Sequence, residues 1–182
     1  MKNLVLPLIC FCIVLFTACK NTNENQEPQP EVVTVDMGKK KTYEAAESDV
    51  TFNDPKVADI YGSYIQLKTA LVNSDAESTA TSAKELINAL ENKGDEEELL
   101  KAAQTIATSS DIEVQRKEFV LVTSGLEKML EGAISSGVIY KQYCPMAFDF
   151  EGGFWLSNSK EIYNPYFGDK MLRCGKVDSE IK

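Results

Sequence analysis

The stretch DPKVADIYGSYIQLKTALVNSD, Asp54 to Asp75, decides the fold. Asp54 can cap a helix and Pro55 suits its first turn. Val57, Ile60, Tyr61, Tyr64, Leu67 and Leu71 then recur three and four residues apart, which puts them on one helical face. Gly62 weakens that helix slightly. Asn73-Ser74-Asp75 ends it and caps a second helix, whose face is Ala76, Ala80, Ala83, Leu86, Ile87 and Leu90 and which stops near Asn92-Lys93-Gly94. The small alanines suit a close approach to a neighbour. A third helix runs from Asp95 through Glu96, Glu97 and Glu98, acids that favour a helix N-terminus through the macrodipole. Its face is Leu99, Leu100, Ala103, Ile106 and Ala107. Ser110 or Asp111 caps the fourth and longest helix, with the stripe Ile112, Phe119, Val122, Leu126, Met129, Leu130 and Ala133, ending near Gly137. Four amphipathic helices on short turns predict a mainly α protein, an antiparallel four-helix bundle with the stripes as its core. Gln115 and Arg116 border the fourth stripe. Arg116 either pairs with an acid in or beside the bundle or stands exposed.

Upstream of the bundle the sequence changes character twice. Met1 to Ala18 has a positive start at Lys2 and an apolar run from Leu4 to Phe16, too short to be read as a bilayer span. It ends Leu15-Phe16-Thr17-Ala18-Cys19, a lipobox-like site. The expectation is a lipoprotein signal peptide over residues 1–18, with Cys19 lipidated after cleavage. An ordinary signal peptide or a membrane anchor is the alternative. Residues 19–47 are poor in apolar residues and rich in Asn, Gln, Glu, Pro and Lys, the composition of a disordered linker. Val32 to Val35 could form a short strand. Fully extended, the linker reaches at most about 100 Å, so the folded domain, residues 48–182, can stand clear of the membrane. The chain's formal charge is −9, and loss of Lys2 leaves 28 acidic against 18 basic residues, or −10. Such a chain repels phosphate backbones, so no nucleic-acid partner is expected.

Beyond the helices, residues 143–175 read YCPMAFDFEGGFWLSNSKEIYNPYFGDKMLRCG. Gly, Pro and aromatic residues are too frequent here for a plain helix. Val138-Ile139-Tyr140 and Phe154-Trp155-Leu156 read as short strands, with Gly152-Gly153 at the turn before the second. The segment is expected to be an irregular cap whose aromatics, Trp155, Tyr166 and Phe167 among them, pack over one end or side of the bundle. Cys144 has Met146 two residues on, and Met171 stands three residues before Cys174. An extended Cys-Pro-Met would aim its two sulfurs to one face, and Met171 with Cys174 would share a helical turn. Together the four make a candidate Cys2Met2 metal site. Thiolate and thioether donors suit Cu(I), and Trp155 could shield the ion from water. The alternative is a Cys144–Cys174 disulfide, whose loop of about 31 residues would stabilise the domain by roughly 3–4 kcal/mol on the chain-entropy account. Met146 and Met171 would then be core fillers.

Catalysis is not expected. The chain has no histidine, which removes Ser-His and Cys-His pairs and the histidine zinc motifs. There is no P-loop. Asp149 and Glu151 alternate in a loop, where carboxylates are usually solvated charge.

The groups Cys144 to Ala147, Trp155 to Ser157, Asn164 to Gly168 and Met171 to Gly175 resemble a domain of unknown function from Gram-negative bacteria. Tyr64 to Leu71 and Gln115 to Phe119 resemble the same domain's helical part. That domain occurs in small secreted lipoproteins and fused to periplasmic adaptor subunits of heavy-metal efflux pumps. The resemblance runs from about Asp54 to Val177. It implies a metal-efflux context with pump components as partners, no assigned reaction, and a tilt toward copper over the disulfide. The combined expectation is an outer-membrane lipoprotein, facing the periplasm or the cell surface, that binds or hands over Cu(I). Its competitor is an envelope protein-interaction module stapled by the disulfide.

Overall fold

The computed structural model describes residues 42–94 and 97–182. The signal peptide, Cys19, the Val32–Val35 strand and most of the linker lie outside the described residues. What is described is mainly helical with a small antiparallel sheet toward the C-terminus.

The helices are α1 (Pro55–Val72), α2 (Ala76–Lys93), α3 (Glu97–Thr108) and α4 (Ile112–Leu130). Their starts follow the caps in the sequence. The Asp54 carboxylate accepts from the Lys56 amide at 2.9 Å with Pro55 in the first turn. Asp75 accepts from the Ser78 amide at 3.0 Å, and Asp111 from the Glu113 amide at 2.9 Å. Each of these bonds satisfies a donor that a helix N-terminus leaves open. Consecutive helices pack side by side and α1 also meets α4, a packing consistent with a bundle. All six residues of the α1 stripe are buried, as are Ala83, Leu86, Leu90, Leu99, Ala103, Ile106, Phe119, Val122, Leu126 and Leu130. Among the described residues no helix is long and apolar enough to cross a membrane.

Three features differ from the sequence reading. First, α4 stops at Leu130, short of Gly137. Gly132 takes a left-handed φ of 70°, and Ile134–Ser136 becomes a strand, β2, paired antiparallel with β1 (Thr51–Phe52). Second, the C-terminal sheet has three strands: β3 (Ile139–Cys144) lies between β4 (Gly153–Ser157) and β5 (Lys176–Ile181). β5 was not anticipated. Its residues are mostly exposed and polar, so no alternating apolar pattern marks it. Third, Thr42 to Val50 is packed without regular secondary structure, although the sequence puts residues through Glu47 in the linker. Its Tyr43 amide donates to Asn73 Oδ1 at 2.8 Å, and Asn73 Nδ2 returns a bond to the Tyr43 carbonyl at 3.0 Å.

A run of aromatic rings joins helices to cap. Tyr61 stacks near Tyr64, Tyr64 on Phe119 with centroids 5.1 Å apart, Phe119 against Tyr166 at 6.2 Å, and Tyr166 edge-on to Trp155 at 5.9 Å. The fully buried Tyr64 hydroxyl sits where α1, α4 and β4 meet. It accepts from the Leu156 amide at 2.9 Å and shares a hydrogen bond with Thr123 Oγ1 at 3.0 Å.

Candidate functional site: the Cys144–Cys174 pair

Strand pairing sets this site. On one side β3 pairs with β4, which puts Cys144 across from Gly153. On the other it pairs with β5, which puts Tyr143 across from Lys176. One step further along that register brings Gly175 opposite Cys144, with Cys174 beside it. The two sulfurs lie 3.1 Å apart and share a hydrogen bond, both as free thiols. Cys144 is buried and Cys174 is partly exposed. The hydrogen bond with Cys144, followed by burial, pushes the Cys174 thiol up from the usual 9.0 to about 11. A soft metal entering here would have to displace a held proton.

The supports are tight. Asn164 is fully buried. Its Oδ1 accepts from the Tyr166 and Phe167 amides, and its Nδ2 donates to the Cys174 carbonyl at 2.7 Å. The Asn-Pro-Tyr-Phe-Gly group thus holds the backbone of Cys174. Arg116 anchors the same group to the helices: its Nε donates to the Pro165 carbonyl at 3.0 Å, one terminal nitrogen to Ser74 Oγ at 3.0 Å and the other to Glu113 at 2.6 Å. Of the two readings of Arg116, pairing with an acid is the one observed, and the side chain is 3% exposed. Gly175, with a φ of 142°, lies where an added Cβ would come within 2.8 Å of Trp155 Cη2. Only glycine lets the indole ring pack this near Cys174. Tyr166 is buried and donates its hydroxyl to the Phe154 carbonyl. Phe167 packs partly buried against the core.

Of the four predicted sulfurs, those of Cys144 and Cys174 meet. Met146 follows the end of β3 and is 38% exposed. Beyond it Phe148, Asp149 and Phe150 all have positive φ, so the chain turns left-handed rather than running on as a strand. Met171 follows the short 3-10 turn Gly168–Lys170, and its carbonyl accepts from the Cys174 amide at 3.0 Å, so Met171 and Cys174 share one hydrogen-bonded turn though not an α-helix. Neither methionine belongs to the hydrophobic core or to the residues packed against it. Among the described residues no group of three or more Cys, Asp or Glu gathers for a metal. A metal held here would rest on the two thiols and whatever thioethers swing in. At metal–sulfur distances of about 2.3 Å, a tetrahedral or trigonal angle needs sulfurs about 3.8–4.0 Å apart. The pair would have to open by somewhat under an ångström. Cys174, on a partly exposed turn, is the one with room to move. Asp149 and Glu151 are exposed, as solvated charges should be.

One buried cluster escaped the sequence reading. Lys68 is 1% exposed on the inner face of α1 and donates to Tyr43 Oη and Ser157 Oγ, each at 3.3 Å. The signal was present: Lys68 stands four residues after Tyr64 and three before Leu71, on the apolar stripe.

A family model described as a protein of unknown function, DUF3347, matches residues 60–136, from the first turns of α1 to the end of β2. The chain is similar to that family over this helical stretch, and the cysteine pair lies beyond it. No curated protein and no solved structure matches the chain.

Proposed function

We propose that this chain is a lipid-anchored protein of the bacterial envelope, a four-helix antiparallel bundle with a sulfur-bearing cap, that binds or hands over Cu(I) in heavy-metal efflux. The observation that carries the reading is the convergence of Cys144 and Cys174 to 3.1 Å as free thiols. The two methionines nearest them in sequence, left outside the core, support it. Transfer would begin at Cys174, the accessible thiol. The ion exchanges for its proton, Cys144 follows as second thiolate, and the product carries one net negative charge. Efflux-pump components are the partners and the periplasmic face of the outer membrane, or the cell surface, the location. No catalysis is involved.

A second reading has its own observation. Sulfurs at 3.1 Å are closer than two ligands of one ion would sit, and exchange with an oxidising disulfide, which leaves as its dithiol with the two protons and two electrons, would join them as a staple for an interaction module. Cu(I) competition with a chromophoric chelator separates the two. For the copper reading, Cys144→Ser abolishes tight binding, while Met146→Leu weakens it less, since volume is kept and only a neutral donor is lost. For the staple, native protein yields no free thiols at Cys144 and Cys174.

A further inference from the structure

Lys68 is a cation-forming side chain with no carboxylate beside it among the described residues. Its amine makes no ion pair among the described residues and donates to two hydroxyls instead. Burial of an amine without a counter-charge is costly, and the group responds by giving up its proton. Its two acceptors come from different bodies. Ser157 is on β4, part of the packed core. Tyr43 is on the Thr42–Val50 strap, which has no regular secondary structure and exchanges two hydrogen bonds with Asn73 at the end of α1. The Tyr43 ring stacks on Tyr163 of the cap at 4.0 Å and stands 5.5 Å from the Lys68 amine. Farther along, Asn158 Nδ2 donates to the Ala46 carbonyl at 2.9 Å. Tyr43 is thus the piece of the Lys68 surroundings that can leave without breaking the bundle.

We propose that Lys68 and Tyr43 form a proton-operated latch: the strap closes over the neutral amine and lifts to let water reach the charged one. The titratable and charged groups nearby are Tyr43 on the strap, Tyr61 and Tyr64 on α1, and, behind Tyr43, the cap's Tyr163, Glu161 and Arg173. None of these sets Lys68. Burial alone lowers it from 10.5 to about 7. Tyr43 itself is pushed up to about 12, by burial first, and keeps its proton over the range that matters. With the closed strap lowering the amine's affinity for protons, opening takes up a proton between about pH 7 and 10.5, so it grows easier as pH falls through that window and levels off below it. Opening is therefore greatest at and below pH 7 and falls by about tenfold per pH unit as pH rises above it. Where Cys19 carries lipid, release frees nine more residues and about 30 Å of reach for the domain. The latch itself depends on neither lipid nor copper.

The test is hydrogen exchange on the full-length chain, corrected for intrinsic rates, reading the Tyr43 amide, which the closed strap donates to Asn73 Oδ1. Its protection should rise up to about 100-fold between pH 7 and pH 9. In Lys68→Met it should be high and flat over the same range. A flat wild-type profile, or an unchanged slope in Lys68→Met, overturns the latch. A second measurement does not depend on that variant's folding. The Lys68 side-chain resonance should titrate near neutrality in the wild type and move up by two units or more in Tyr43→Ala, where the strap no longer covers it. A wild-type midpoint near 10, or no movement in Tyr43→Ala, equally overturns it.

Discussion

Tyr64→Phe tests whether cap and helices are one cooperative body. The substitution removes a single oxygen and leaves the ring, so stacking on Phe119 survives and no cavity of consequence forms. What is lost is the meeting point of three elements. The Leu156 amide donates to the Tyr64 hydroxyl at 2.9 Å, and Leu156 is buried. Without the oxygen that N–H has no partner, a loss of about 1–3 kcal/mol. Thr123 also loses its 3.0 Å partner, although a helical threonine can turn to its own backbone carbonyls. The total is about 2–3 kcal/mol, set mainly by the stranded amide. Thr123→Val is the control: it leaves the Leu156 amide satisfied but takes the partner of the Tyr64 hydroxyl, so it should cost about 1 kcal/mol, less than Tyr64→Phe, which loses both bonds. Urea unfolding of the full-length chain followed by circular dichroism reads both, through the midpoint at constant slope. If Tyr64→Phe costs no more than Thr123→Val, the hydroxyl does not tie β4 to the helices and the account of the cap's attachment fails.

Three further outcomes can be checked by ordinary means. Arg116→Met should destabilise by about 2–4 kcal/mol, because the buried Pro165 carbonyl and Ser74 lose their charged donor; a near-neutral urea midpoint would dissociate the Asn-Pro-Tyr-Phe-Gly group from α4. Leu126→Ala, at a fully buried site on α4, should cost about 2–5 kcal/mol in the same assay, and a cost below 1 would remove it from the core. Iodoacetamide should alkylate Cys174 at pH 8 about 100-fold more slowly than a free thiol, since its proton is held to about 11 instead of 9.0; labelling at the ordinary rate would mean the thiols are not paired.

The helical half was legible because each of its signals is local. A stripe such as Val57, Ile60, Tyr61, Tyr64, Leu67 and Leu71 needs only the helical repeat, and a cap such as Asp54-Pro55 needs only the first turn. The cap was legible in composition but not in pairing. Nothing near Lys176–Ile181 marks a strand, because β5 is held by β3, more than thirty positions upstream, and faces largely into solvent. That missed strand is also what places Cys174 beside Cys144. The expectation that their sulfurs converge rested on the residue types, and the register supplies the reason. The methionines are placed by spacing in an extended strand and a helical turn: β3 ends before Met146 and the chain then goes left-handed, whereas Met171 and Cys174 do close one turn, the Cys174 amide on the Met171 carbonyl at 3.0 Å. A lysine interrupts an apolar stripe in composition only; in space Lys68 completes the stripe, and burial lowers its amine from 10.5 to about 7.

The most direct measurement of the central claim is an anaerobic Cu(I) titration of the reduced full-length chain, followed by X-ray absorption at the copper edge. The account predicts one copper per chain, held by sulfur alone at about 2.3 Å, with binding lost in Cys144→Ser and in Cys174→Ser. A reduced chain that leaves Cu(I) with a weak competing chelator, or a copper shell of oxygen and nitrogen unaffected by either substitution, would contradict it.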